Sequence, residues 1–122
     1  MKTKIYAMQK GFYSFFPHQT WEPSVNLYET DLAYMVCVDL SGVEKEKIDI
    51  EVIGQRLTIK GNRSVPTCAQ TSPAQGRTRL HQMEIDHGPF AREVELPQNV
   101  QQDRITAQHV NGMLWIELPK RK

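Results

Sequence analysis

Two stretches decide the fold: Phe90-Ala91-Arg92-Glu93-Val94-Glu95-Leu96-Pro97, and, after Asp103-Arg104-Ile105-Thr106-Ala107, the run Asn111-Gly112-Met113-Leu114-Trp115-Ile116-Glu117-Leu118-Pro119-Lys120. In the first, Arg92 to Leu96 alternates charge with apolar bulk, as a half-buried strand does, and Pro97 ends it because it has no N–H to give a ladder. In the second, Asn111-Gly112 is turn chemistry between two further strand-like runs.

Working outward, the same period of two continues upstream. Val25-Asn26-Leu27-Tyr28-Glu29 and Ala33-Tyr34-Met35-Val36-Cys37-Val38-Asp39-Leu40 read as strands joined at Thr30-Asp31. Ile48-Asp49-Ile50-Glu51-Val52-Ile53 alternates apolar and acidic, Gly54-Gln55 turns, and Arg56-Leu57-Thr58-Ile59-Lys60 alternates back, the clearest hairpin in the chain. Leu80-His81-Gln82-Met83-Glu84-Ile85-Asp86 is a short isolated strand candidate. It follows a polar, Pro-containing loop from Asn62 to about Arg79, longer than the roughly 4 to 6 residues usual in compact domains. The chain is therefore all-β, an antiparallel immunoglobulin-like sandwich of about seven or eight strands.

At 122 residues the chain holds one domain with a real core. Its apolar content of 39% and charged content of 24% fit a soluble globular module rather than a disordered or membrane protein. The formal charge is +1, made of +2 over residues 1–23 (Lys2, Lys4 and Lys10 against Glu22), +3 from Lys120-Arg121-Lys122, and therefore −4 between them. The basic end over residues 121–122 is read as a solubilising tail, so neither nucleic acid nor a membrane is expected as a partner. Cys37 and Cys68 lack CxxC spacing and a Cys/His cluster, and Gln9, Lys10 and Gly11 interrupt any signal-peptide core, so a cytoplasmic location is expected.

Residues 1–23 differ from the rest: Phe12, Tyr13, Phe15, Phe16 and Trp21 stand without a sustained period, between Gly11 and Pro17 breakers and beyond. They are expected to form a weakly ordered aromatic arm. It has two readings, covering the apolar segments of another protein or docking on this one's own sandwich.

Asp39-Leu40-Ser41-Gly42-Val43 with Ile48 downstream, Leu57-Thr58-Ile59-Lys60-Gly61, Gly88-Pro89-Phe90-Ala91-Arg92 leading to Leu96-Pro97, Ile105-Thr106-Ala107 and Asn111-Gly112-Met113-Leu114 together resemble the α-crystallin domain of small heat-shock proteins. The resemblance covers residues 24–120 in order. Two departures are visible. Ser41 stands where Pro often precedes the Gly, and the family's C-terminal I-x-I/V anchor does not follow Lys120; Ile116-Glu117-Leu118 has that look but lies inside a strand.

The resemblance implies an ATP-independent holdase that binds partly unfolded proteins under stress and prevents their aggregation. It implies a self-associating chain, a strand-swapped homodimer or small oligomer, able to join another family member. No cofactor, metal or enzymatic activity is expected: the sequence has no phosphate loop or nucleophile elbow, and His18, His81, His87 and His109 are dispersed without ligand spacing. The rival class is a p23-like co-chaperone or scaffolding module that binds one folded partner.

The resemblance also distributes roles. Ile50, Val52, Ile105 and Ala107 are candidates to line a groove between two strand edges, with core packing as the alternative. The segment Leu80, His81, Gln82, Met83, Glu84 and Ile85 is the candidate swapped strand, pairing with the partner's Val25 and Leu27 region or else forming an edge strand within its own chain. Arg92 matches the position near the dimer contact; a paired carboxylate is expected there, with a simply exposed charge as the alternative. Covering about 400 Å² of apolar surface contributes on the order of 10 kcal/mol, against an association cost of roughly 4 to 15, so one site alone binds weakly and several linked sites are needed.

Overall fold

A computed structural model describes residues 20–66 and 76–121. Phe12, Tyr13, Phe15, Phe16 and Cys68 lie outside the described residues. Seven strands form: β1 Val25–Glu29, β2 Ala33–Asp39, β3 Ile48–Ile53, β4 Arg56–Arg63, β5 Gly88–Glu95, β6 Thr106–Val110 and β7 Met113–Pro119. Short 3-10 turns at Lys45–Lys47 and Gln102–Arg104 precede β3 and β6. Two sheets result, β1-β2-β7-β6 and β3-β4-β5, with every strand pair antiparallel.

The turns explain the registers. Ile53 pairs with Arg56 across Gly54-Gln55, and Gly54 takes a φ of 62°, the first central position of a tight hairpin turn that favours Gly. Val110 pairs with Met113 across Asn111-Gly112, where both φ values are positive at 54° and 81°, the mirror-image turn that Asn-Gly forms most readily. At the β1–β2 turn the Thr30 hydroxyl oxygen accepts from the Leu32 and Ala33 amides at 3.2 and 3.0 Å, a local side-chain turn.

The strands pack face to face around Val36, Val38, Leu57, Ile59, Ile116 and Leu118, each fully buried, with Tyr34, Leu40, Phe90, Leu96, Val100 and Leu114 closing the ends. No polar or charged residue among those described is fully buried. Each large core side chain contributes about 1.5–3 kcal/mol on burial, so the module closes its own core without help from the edges.

Outward-facing positions differ between the sheets. On β3-β4-β5 they carry Asp49, Glu51, Ile53, Arg56, Thr58, Lys60, Ala91, Glu93 and Glu95, a mostly polar face with Ile53 exposed at one end. On β1-β2-β7-β6 they carry Asn26, Tyr28, Met35, Cys37, Asp39, Met113, Trp115, Glu117, Thr106, Gln108 and Val110, largely apolar, with two acids and no Lys or Arg.

Gly88-Pro89 opens β5, which Pro tolerates because β5 is an edge strand. One expectation changes. Leu80–Asp86 is not a strand within the chain: it runs irregularly and pairs with none of the described strands.

Candidate functional site

Three places on the sandwich hold the residues singled out from sequence: two begin at open strand edges, and the third is filled by the residues that precede β1. The first is the seam where β3, the edge of one sheet, faces β6, the edge of the other. Ile50, Val52, Ile105 and Ala107, proposed from sequence as groove residues, all line one groove of about 490 Å³ there, together with Glu51, Gln102 and Thr106. Ile50, Val52 and Ile105 are half-buried and also pack on the core, while Ala107 is exposed. Ile50, Val52 and Ile105 thus meet the core on one side and the groove on the other, while Ala107 meets only the groove. Unpaired strand edges on either side offer backbone donors and acceptors to an extended segment.

The second place is β1 with the segment Leu80–Asp86. β1 pairs only with β2, leaving its other side open. Val25 is half-buried, but Leu27, on the core-facing side, is 40% exposed because nothing covers that edge. Leu80, Met83 and Ile85 are 68%, 52% and 62% exposed, and His81, Gln82 and Glu84 are exposed as well. Within one chain the two halves of the expected exchange are thus separate, each with uncovered apolar side chains. Gln82 donates to Glu84 at 2.7 Å, a contact local to the segment.

The third place is the opposite seam, between β5 and β1. Here the chain before β1 runs along β5: the Trp21 amide donates to the Pro89 carbonyl at 3.2 Å and the Ala91 amide to the Trp21 carbonyl at 3.1 Å. The Trp21 indole N–H donates to the Gly88 carbonyl at 3.2 Å, and its ring packs on Phe90 with centroids 5.3 Å apart. Trp21, counted with the arm from sequence, is docked on this chain's own sandwich. Its aromatic pair with buried Phe90 and its ladder bonds hold it there. Arg92 sits on the core-facing side of β5, half-buried, and its Nη1 donates to the Pro23 carbonyl at 3.0 Å. That bond is to a backbone carbonyl, whereas a carboxylate was expected; it meets part of the guanidinium's need for partners.

Sequence reasoning missed Arg63, the last residue of β4. Its Nη1 donates to the Ser41 carbonyl at 3.0 Å, its Nε and Nη2 to the Asp86 carbonyl, the Nε bond being 2.9 Å, and its guanidinium lies 4.3 Å from the centre of the Trp21 ring. One side chain thus pins the far end of the long loop, a turn and the root of the arm. An Arg closing an apolar strand before a polar loop was the available signal, but nothing in the sequence said what it would reach. The Tyr28–Trp115 stack, with centroids 6.2 Å apart, was also missed, since the run Leu114-Trp115-Ile116 is apolar throughout and hides the outward direction of its middle residue.

Among the described residues, no group of three or more His, Cys, Asp and Glu side chains is placed to hold a metal ion, and no helix is long and apolar enough to cross a membrane. Burial, with Asp39 nearby, pushes the Cys37 thiol up from its ordinary pKa, which holds it in the less nucleophilic form. The Lys120 ammonium, bonded to Glu29 at 2.6 Å, is likewise raised, chiefly by that hydrogen bond.

Comparison with known proteins agrees with this architecture. Residues 26–122 match the model of the Hsp20/alpha crystallin family. Small heat shock protein C2 of Rickettsia felis is 33% identical over 100 residues, covering 82% of this chain and 61% of the relative, and the 18.1 kDa class I heat shock protein of Pisum sativum is 33% identical over 99 residues, covering 80% and 59%. The chain therefore spans about three fifths of the length of these relatives. Among solved structures, heat shock protein 16.0 from Schizosaccharomyces pombe superposes with a TM-score of 0.69 at 31% identity, over 84% of this chain and 69% of that one. A small heat-shock protein from Xylella fastidiosa gives 0.66 at 31% identity, over 84% and 89%. Strand order, a closed core between the two sheets, and this ordered match over most of its length together make the chain a member of the Hsp20/alpha crystallin family.

Proposed function

We propose that this protein is an ATP-independent holdase: it binds partly unfolded proteins through open strand edges and apolar grooves and keeps them from aggregating. The observation that carries the reading is the groove between β3 and β6, where Ile50, Val52, Ile105 and Ala107 converge beside two unpaired edges while the core behind them stays closed. Such a groove suits an extended apolar segment, with main-chain bonds giving affinity whatever the sequence and alternate side chains entering the floor.

The working unit in this reading is a dimer made by exchange of Leu80–Ile85 onto the partner's β1. Uncovered Leu80, Met83 and Ile85 on one side and uncovered Leu27 on the other support it, as do the open donors and acceptors of the β1 edge. Arg92, whose one carbonyl bond leaves donors to spare, takes a carboxylate of the partner in this arrangement. Two or more linked grooves raise the effective concentration of binding sites and make capture persist, which one weak site does not.

Heating a model client alone and with the protein, without ATP, tests the function by light scattering. Suppression at near-stoichiometric ratio is expected, and scattering unchanged at several-fold excess refutes the reading. For the dimer, Met83→Asp with Ile85→Asp should convert the sedimenting species to monomer while the fold, read by circular dichroism, is kept. A dimer that survives both substitutions rejects the exchange.

A further inference from the structure

The groove between β3 and β6 has a neighbour across the β6 strand. A second depression, of about 310 Å³, lies on the outward face of the β1-β2-β7-β6 sheet, and Thr106 and Ala107 line both. Strand β6 is thus a narrow divide between two hollows, and its outer edge pairs with none of the described strands.

The two hollows share a sign of charge. Each is lined by one acid, Glu51 in the groove and Glu117 on the face, and among the described residues lining them there is no Lys or Arg. Their floors differ. Ile50, Val52 and Ile105 make the groove floor apolar, whereas the face offers the half-buried ring of Trp115, stacked with Tyr28. An aromatic ring beside a carboxylate is a seat for a cation: the ring face attracts it and the acid pairs with it.

A strand added to an open edge sends alternate side chains to opposite sides of the sheet. On β6 the division is plain from the register. Ala107 pairs with buried Ile116 and belongs to the groove side, while Thr106 and Gln108 lie on the outer face opposite Glu117 and Trp115. A strand lying along β6 stands two strand spacings from β7, about 10 Å. A short side chain leaves that gap open. Lys or Arg crosses it on an aliphatic stem and brings its charge to within the ~6 Å at which a cation and a ring attract.

We infer that the β6 edge selects client segments in which apolar residues alternate with Lys or Arg, the apolar set entering the groove over Ile50, Val52 and Ile105 and the cationic set crossing β6 to Trp115 and Glu117. This rests on the reading of the groove as a client site and adds to it a preference of charge. A strand with acids in the alternate places meets Glu117 with like charge and is turned away. The chain's own β3 is such a strand, apolar and acidic in turn from Ile48 to Val52, so the same preference keeps the β3 of one copy off the β6 edge of another.

The test uses three fluorescently labelled peptides of equal length, with valine alternating with Arg, with Ser or with Glu, each titrated with the full chain and read by anisotropy. The Arg peptide should bind about five- to tenfold more tightly than the Ser peptide, as one exposed cation–ring contact with one exposed ion pair allows, and the Glu peptide more weakly than either. Glu117→Lys should bring the ratio of Arg to Ser affinity near one. Glu93→Lys, an equal charge change at an exposed position of the other sheet's outward face, should leave that ratio as it is. A ratio near one in the parent, a Glu peptide held as tightly as the Arg peptide, or a ratio that Glu117→Lys leaves in place or that both substitutions lower alike overturns the charge preference while the groove reading stands. Binding of none of the peptides overturns both.

Discussion

Gly61→Ala should unfold this domain more readily, and the structure says by how much and why. Gly61 lies in β4, opposite Ile48 on one side and Phe90 on the other, with a φ outside the left-handed region. Backbone strain is therefore not at issue, and with free space an Ala there would stabilise by about 0.4–1 kcal/mol through the unfolded chain. The space is taken. An added Cβ would overlap the Lys47 carbonyl oxygen and stand 2.5 and 2.9 Å from the Cζ and Cε2 of Phe90. Phe90 is buried and braced by Trp21, and the carbonyl belongs to the turn that launches β3, so neither yields freely. Overpacking of this kind costs about 1–3 kcal/mol, which at roughly 4 °C per kcal/mol for a domain of this size lowers Tm by about 4–12 °C. Phe90→Leu removes the ring but not the carbonyl, so the double variant should lose less than the sum of the singles, with a coupling of about 0.5 kcal/mol or more. Thermal unfolding followed by circular dichroism reads all four proteins. A Gly61→Ala protein as stable as its parent, or strictly additive singles, would refute the steric account.

Three further perturbations probe the seams. Arg63→Met removes the bonds to Asp86 and Ser41 and the contact with Trp21, so trypsin should cut faster at Arg77 and Arg79, as limited proteolysis would report; an unchanged rate contradicts a pinning role. Arg92→Met strips the Pro23 carbonyl of its donor and should cost about 1–3 kcal/mol in urea unfolding; no loss would mean the bond is not sustained in solution. With Cys68→Ser in place, the Cys37 thiol, raised by burial, should gain reactivity toward a disulfide reagent only at a higher pH than a free cysteine does. By the same linkage the folded chain holds that proton more tightly than the unfolded one, so Cys37 takes away stability as pH rises above the ordinary thiol pKa. A reactivity profile matching free cysteine would deny the shift.

Much of the sandwich was legible because its signals are local. Alternation over Ile48–Ile53 and Arg92–Glu95, and the Asn111-Gly112 turn, each state a strand or a turn within a few residues, and the structure follows them. Ile50, Val52, Ile105 and Ala107 were reachable only through family resemblance, since periodicity says which side of a strand faces inward and not which two edges meet. Leu80–Asp86 reads as a strand because its composition is that of one, but a strand also needs a ladder, and within the single chain this segment pairs with none of the described strands. Arg63 and the Trp21 anchorage join residues more than twenty positions apart through backbone carbonyls, which carry no sequence identity at all. Trp115 was hidden for the opposite reason: an outward residue flanked by two buried ones looks like core when all three are apolar.

The most direct test of the account compares the parent protein with Ala107→Glu in ATP-free light scattering of a heated client. Ala107 is exposed at the edge of the β3–β6 groove, so the substitution adds charge and bulk there without opening the core. The account predicts suppression of scattering by the parent at near-stoichiometric ratio and a clear loss of suppression in the variant at unchanged Tm. Equal protection by both proteins would contradict the groove as the place where clients are held, and no protection by either would contradict the holdase function itself.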